Sequence, residues 1–252
     1  MKLLTRLGLA AAVVSGLVTA AQAQISYTGG TYTQDFDSMG AAGTTTPTGW
    51  FAGTGTGAAV ITTTVIAGTG SATAGGNYNF GIAGTNGVGE RALGSLASAS
   101  TQRDTEVDFT NNLGFNITQF SISYDGEQWR NGGSTVPNVL TLQLSLDGTT
   151  WVSLGAAFNF TSPINTSTGS ALDGNASANR VAGIGGTFTP STAILNGSVF
   201  YLRWADPDDT GSDAALAVDN FTFSAIPEPS IYMLLGVGIL LCGQRFLRGK
   251  RA

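Results

Sequence analysis

Histidine is absent from this chain, cysteine occurs once, and lysine does not occur between residues 24 and 225. Each absence removes a chemistry. Without imidazole there is no Ser-His-Asp triad, no Cys-His dyad and no His-ligated zinc. The lone Cys242 excludes an internal disulfide and a four-Cys zinc site. Charged residues make up only 11% of the 252, with 11 Lys+Arg against 16 Asp+Glu, so the basic footprint that a nucleic-acid partner requires is missing. What is present is 36 Gly and a 42% hydrophobic fraction, which suits a core of strands joined by turns. The length fits one large all-β domain or two small ones.

The two ends read differently from the middle. Residues 1–23 carry Lys2 and Arg6, an apolar run from Leu7 to Val18 and the small-residue pattern Ala21-Gln22-Ala23, the layout of a secretory signal peptide cleaved after Ala23. At the other end, Ile226-Pro227-Glu228-Pro229-Ser230 precedes the apolar run Ile231–Cys242, followed by Gln244, Arg245, Arg248, Lys250 and Arg251. Pro227 and Pro229 withhold two N–H donors, so a helix begins after them, with Ser230 placed to cap it. A helix over about residues 230–247 is roughly 27 Å long and spans a bilayer core if Arg245 snorkels to the headgroups. The basic residues beyond it place the C-terminus in the cytoplasm and the body outside. Within the run, Cys242 reads as a small apolar residue.

This tail of Pro227-Glu228-Pro229, apolar helix and basic terminus resembles the PEP-CTERM sorting signal of exosortase-processed bacterial proteins. The resemblance covers residues 226–252. It implies a Gram-negative bacterium that secretes exopolysaccharide, an inner-membrane anchor, and cleavage near Pro227-Glu228-Pro229 by an exosortase, with the cell surface or extracellular matrix as destination.

Residues 24–225 form the expected ectodomain. Five arginines against fifteen carboxylates give it a net charge of −10. Such a surface repels polyanions and recruits divalent cations. Period-2 alternation dominates it: Leu140, Leu142, Leu144 and Leu146 share one face, as do Phe120, Ile122 and Tyr124, and Phe200, Leu202 and Trp204. Leu216–Phe223 closes the series, and further strands are predicted at Tyr32–Phe36, Val60–Ile66, Tyr78–Ile82, Thr105–Phe109 and Gly183–Phe188. Asp147-Gly148 joins the Leu strand to Trp151–Leu154 as a hairpin, and Asp125-Gly126, Asn131-Gly132-Gly133, Asp173-Gly174 and Asn196-Gly197 supply further turns. Tracts such as Gly40–Thr46, Gly53–Ala59 and Gly68–Gly76 read as loops. No stretch of ten residues holds a helical period, so the expectation is an all-β antiparallel sandwich or barrel. Asp35-Phe36-Asp37-Ser38 and Pro47-Thr48-Gly49-Trp50 near the start, with Trp204-Ala205-Asp206 and Ala217-Val218-Asp219-Asn220-Phe221 near the end, resemble jelly-roll domains of extracellular proteins, including MAM-type adhesion domains and carbohydrate-binding modules.

Two clusters carry candidate chemistry. Alternation puts Asp219 on a face with Ala217, Phe221 and Phe223, where a carboxylate needs a cation or several donors. The loop Asp206-Pro207-Asp208-Asp209-Thr210-Gly211-Ser212-Asp213 supplies oxygen ligands, so Asp206, Asp208, Asp213 and Asp219 are the candidate Ca²⁺ set. By the jelly-roll resemblance, Asp35 or Asp37 joins Asp219. The alternative is a solvated acidic loop and an Asp219 paired with an Arg or lying at a bulge. The second cluster is Asp125, Glu127, Trp129 and Arg130, read as a sugar site with Trp129 as stacking platform. Its alternative is a hairpin-end Trp covering the core, with Arg130 neutralising Glu127.

The sequence thus points to an exported, non-enzymatic protein with no catalytic residues, structural or adhesive in an exopolysaccharide matrix. A carbohydrate-binding module using Trp129 or Trp50 is the alternative, and a glycosidase using Glu127 or Asp125 a more remote one.

Overall fold

The computed structural model describes residues 23–55, 57–82 and 89–227. The expected signal peptide up to Gln22, and the tail from Glu228 through its helix at 230–247, lie outside the described residues. Alternating apolar residues and frequent turns produce strands in chain order: β1 (Ile25–Tyr27), β2 (Tyr32–Gln34), β3 (Trp50–Thr54), β4 (Ile66–Gly68) and β5 (Gly76–Phe80). There follow β6 (Ala92–Leu96), β7 (Arg103–Asn111), β8 (Phe120–Asn131), β9 (Val139–Ser145) and β10 (Val152–Ser153). The last are β11 (Phe160–Thr161), β12 (Ser170–Ala171), β13 (Arg180–Phe188), β14 (Val199–Asp206) and β15 (Ala215–Ala225). Helix among the described residues is confined to two single 3₁₀ turns, Asp37–Met39 and Ala156–Phe158.

The strands form a seven-stranded and an eight-stranded sheet, as the alternation implies for an all-β sandwich. The first is ordered β1-β7-β14-β9-β10, with β3 on β7 and β11 on β9. The second is ordered β12-β8-β15-β6-β5-β4, with β13 on β8 and β2 on β15. Most pairs are antiparallel; β1 with β7 and β4 with β5 run parallel. The long strands β7, β8 and β9, and then β13, β14 and β15, alternate between sheets, so the long strands paired within a sheet are distant in sequence, whereas β9 with β10 and β4 with β5 and β6 are consecutive.

Aromatic rings fill the space between the sheets. Trp204 of β14 stacks on Trp50 at 5.7 Å and 17°, and meets Tyr124 of β8 and Phe221 of β15 edge-on, each at 5.4 Å. Phe109 and Phe200 of the first sheet pack on Phe223 of the second at 5.0 and 5.4 Å. All these rings are buried, together with Leu140, Leu142, Leu144 and Leu202. Leu146, expected on the same face, is 39% exposed because β9 ends at Ser145 and the Asp147-Gly148 turn carries it outward. Val60–Ile66 is mostly irregular, contributing a single bridge at Thr64 before β4 begins at Ile66.

The face assigned to Asp219 is corrected by a bulge. In β15, Leu216 and Val218 point into the main core and Ala215 and Ala217 into a second cluster with Tyr78, Phe80, Ala92, Leu96 and Trp129. At Asn220 the backbone turns left-handed, φ 49°, and the register against β8 shifts between Asp219 and Thr222. The extra residue returns Phe221 and Phe223 to the main core and leaves Asp219 on the opposite face, beside Ala217.

Trp204 touches ring partners from both sheets. Trp204→Ala therefore lowers the unfolding free energy by about 3–5 kcal/mol, read by urea denaturation. A loss under about 1 kcal/mol contradicts its role as the inter-sheet contact.

Candidate functional site

The 206–213 loop leaves the end of β14 and re-enters the second sheet at β15. Asn138 holds it: its amide donates to Asp209 Oδ2 at 2.6 Å and Asp213 Oδ1 at 3.3 Å, and its carbonyl oxygen accepts from the Ala214 N–H at 2.7 Å. On the other side the chain passes so close to Gly132 that a Cβ there would strike the carbonyl oxygens of Ser212 and Asp213. The β6–β7 turn, Ser98 to Thr101, has both central residues left-handed, Ala99 at φ 57° and Ser100 at φ 62°. Neither is Gly, so each costs on the order of 1 kcal/mol.

These segments enclose a polar cleft of about 450 Å³. Arg130, Asp208 and Asp213 contribute its charges, and Thr73, Ser98, Ser100 and Ser212 its hydroxyls. Among the described residues the Arg130 guanidinium makes long contacts, to the carbonyl oxygens of Gly70 at 3.3 Å and Ser71 at 3.5 Å. Burial, against the hydrogen bond from the Asp209 N–H, pushes Asp213 up to about 6.

Asp206 is turned away from this loop into the sandwich. Its carboxyl accepts from Ser95 Oγ at 2.7 Å and from the Ala97 N–H, which ties β14 to the opposite sheet. Complete burial pushes it up to about 8. The four-residue calcium set is therefore not one cluster: Asp208 and Asp213 line the cleft, Asp206 bridges the sheets, and Asp219 lies elsewhere.

Asp219 sits with Glu90 and Glu127, one carboxylate oxygen from each lying within 4.8 Å of the others. Glu90 was not singled out from the sequence, since it lies outside any strand and far from both partners along the chain. Burial is the first cause of the raised pKa of all three, and each is raised further by neighbouring carboxylates. Glu127 reaches about 7 despite the hydrogen bond from Trp129 Nε1 at 3.0 Å. Asp37 acts electrostatically on Glu90 and Asp219, while its own Oδ1 accepts from the Arg91 N–H at 2.9 Å. Asp125 accepts from the Gly183 N–H and the Asn220 amide and lies 3.8 Å from Arg180.

The stacking role for Trp129 is ruled out by its position. Its ring is fully buried, lies parallel to Phe80 at 5.8 Å, and has Gly174 against its edge, so no sugar reaches its face. Trp50 is likewise fully buried, against Trp204. Arg130 does not neutralise Glu127; it turns to the cleft, and the indole N–H bonds Glu127 instead. Glu127 and Asp219, 0% and 1% exposed, are also closed to a substrate in this conformation.

The outer face of the seven-stranded sheet holds further buried charge. Arg203 pairs with Asp104 at 3.1 Å, donates to Gln143 at 2.7 Å and lies 3.8 Å over the Trp151 ring. Glu106 receives the Val60 N–H on both oxygens, so the Gly/Thr-rich loop before β4 covers this face.

No family model matches the chain, and no curated protein matches it. Solved structures similar to it include the CBM22-1 xylan-binding domain of Xyn10C from Paenibacillus barcinonensis, 13% identical over 81% of this chain and 97% of that one, with a TM-score of 0.40. The K3 cleaved adhesin domain of Lys-gingipain from Porphyromonas gingivalis is 12% identical over 77% and 97%, at 0.41. The TmCBM61 module in complex with β-1,4-galactotriose is 9% identical over 70% and 88%, at 0.31. These likenesses are too distant to carry a ligand across.

The raised carboxyls fix a pH dependence. Asp206, near 8 when folded and about 4 when unfolded, holds a proton in the native state over that interval. Its stabilising effect is complete below about pH 4 and is lost as pH rises through 8, with Asp213 and Glu127 acting in the same direction. Thermal melts in chelator therefore show a lower Tm at about pH 8 than at about pH 5, and Asp206→Asn flattens the difference. A Tm that climbs over this interval contradicts the assignment.

Proposed function

We propose that this protein is an exported, non-catalytic β-sandwich that binds extracellular polysaccharide through the cleft of Arg130, Asp208 and Asp213, as a structural or adhesive component of an exopolysaccharide matrix. The observation that carries the reading is the cleft itself. At about 450 Å³ it has the size of a small-ligand site. Its lining mixes a fixed donor, two acceptors and four hydroxyls able to do both, which matches sugar hydroxyls that donate and accept in turn. The acidic groups and the net charge of −10 over residues 24–225 favour neutral over anionic chains. This replaces aromatic stacking by Trp129 or Trp50 with hydrogen-bonding recognition.

The route to the matrix rests on the ends. On this reading a signal peptide at 1–23 exports the chain, the apolar C-terminal segment holds it in the inner membrane with its basic terminus in the cytoplasm, and an exosortase acts at Pro227-Glu228-Pro229. The acidic body then remains outside the cell.

Affinity electrophoresis through gels containing neutral or acidic polysaccharides checks the binding. The full chain is retarded by a neutral polysaccharide, and Arg130→Ala or Asp213→Asn weakens the interaction about tenfold or more, the loss expected for a charged hydrogen bond. If no polysaccharide retards the wild-type chain, or if Arg130→Ala is retarded equally, the cleft is not the site.

A further inference from the structure

We propose that Glu90, Glu127 and Asp219 hold a divalent cation, calcium by its chemistry, on the outer face of the eight-stranded sheet. Three strands of observation converge there. First, the oxygens lie within 4.8 Å of one another, a span that the ligand sphere of calcium, about 4.6–5.2 Å across, accommodates. Second, Asp219 is 1% exposed and, among the described residues, its Oδ1 receives no N–H or hydroxyl donor, although Oδ2 accepts from the Asn220 amide at 2.9 Å and the carboxyl is hydrogen-bonded to that of Glu90, which requires a proton between them. A buried carboxylate oxygen without a donor is costly, and a cation removes the cost. Third, negative charge outweighs positive around the cluster: Asp37 and Asp35 act on Glu90, and Asp125 on Glu127, against Arg180, which acts on both Glu90 and Glu127.

Without a metal, three adjoining carboxyls coexist by retaining protons, the direction in which burial and mutual repulsion drive all three. A divalent ion displaces those protons and supplies the charge the site lacks. An all-oxygen, carboxylate-rich and largely dehydrated site suits calcium over magnesium, which gives up its water reluctantly. The ion would join β15, β8 and the segment entering β6, with the Trp129 indole on Glu127 completing the surroundings. This site is separate from the polar cleft and does not depend on its ligand.

Thermal melts of the full-length chain at neutral pH, in chelator and then with CaCl₂ or MgCl₂, test it. Calcium at a hundredfold excess over its dissociation constant raises Tm by about 5–10 °C. Asp219→Asn and Glu90→Gln abolish the rise, whereas Asp208→Asn in the cleft retains it. Terbium, a luminescent stand-in for calcium, is sensitised by tryptophan excitation in the wild-type chain and displaced by CaCl₂, a readout that stands even where a variant folds poorly. No calcium-dependent rise together with no sensitised terbium overturns the proposal and leaves a proton-sharing cluster. A rise that survives Asp219→Asn, or that depends on Asp208, also overturns it, and an equal response to MgCl₂ overturns the assignment to calcium. Arg130→Ala leaves the calcium response unchanged, so loss of polysaccharide binding and loss of the metal site are distinguishable.

Discussion

The bulge at Asn220 is the constraint on which the arrangement of β15 turns. This strand lies between β8 and β6, so its side chains must serve two cores at once. A regular strand would place Asp219 on the face of Phe221 and Phe223 and drive a carboxylate between the sheets. One left-handed residue changes the phase: the phenyl rings keep their places against Phe109 and Phe200, and Asp219 faces outward to Glu127 and Glu90. The strain of one non-Gly residue at φ 49° is small beside the penalty of an unpaired carboxylate in an aromatic core.

The body has fifteen carboxylates and five arginines, so most buried acids find no cationic partner. The structure meets this in three ways. Asp104 takes Arg203, the shortest ion pair among the described residues. Glu106 takes a backbone N–H from the loop that covers it. Asp206 keeps a proton and becomes a neutral bridge from β14 to Ser95 on the other sheet. The cluster around Asp219 differs in bringing three carboxyls together, with the Trp129 indole on Glu127 and the Asn220 amide on Asp219, which sets it apart as the place where the proposed ion would relieve the charge.

The strand alternation was legible in the chain because burial on one side of a sheet imposes period 2. Leu140, Leu142 and Leu144, Phe120, Ile122 and Tyr124, and Phe200, Leu202 and Trp204 all face the core as read, and the Asp147-Gly148 hairpin joins β9 to β10. The short strands β1, β3 and β6 were not legible, since three to five residues are too few to show a period and the Ala, Gly and Ser of β6 carry little contrast. The sites were legible only in part. Arg130, Asp208 and Asp213 were all singled out, yet as members of two different clusters. Asn138, Ser98 and Glu90 were missed, because what matters at each is a partner tens of residues away. Trp129 and Trp50 misled because an aromatic beside charged residues looks the same in sequence whether it faces sugar or core.

Local chemistry, then, determined the all-β class, the Asp147-Gly148 turn, the lack of imidazole and the acidic charge, since these depend on residue types and their spacing alone, whereas Asp125-Gly126, which reads as a turn, runs inside β8 because both neighbouring strands pair with it. Which strands pair, which tryptophans are buried, and which carboxylates meet were decided by the tertiary structure. Apart from the β9–β10 hairpin and the consecutive β4, β5 and β6, strands that neighbour one another in each sheet lie far apart in the chain, and a single bulge reverses the face of every residue on one side of it, so the pattern in sequence does not contain the juxtaposition. Glu90, Glu127 and Asp219 become one acidic centre only when β8, β15 and the segment entering β6 are laid side by side.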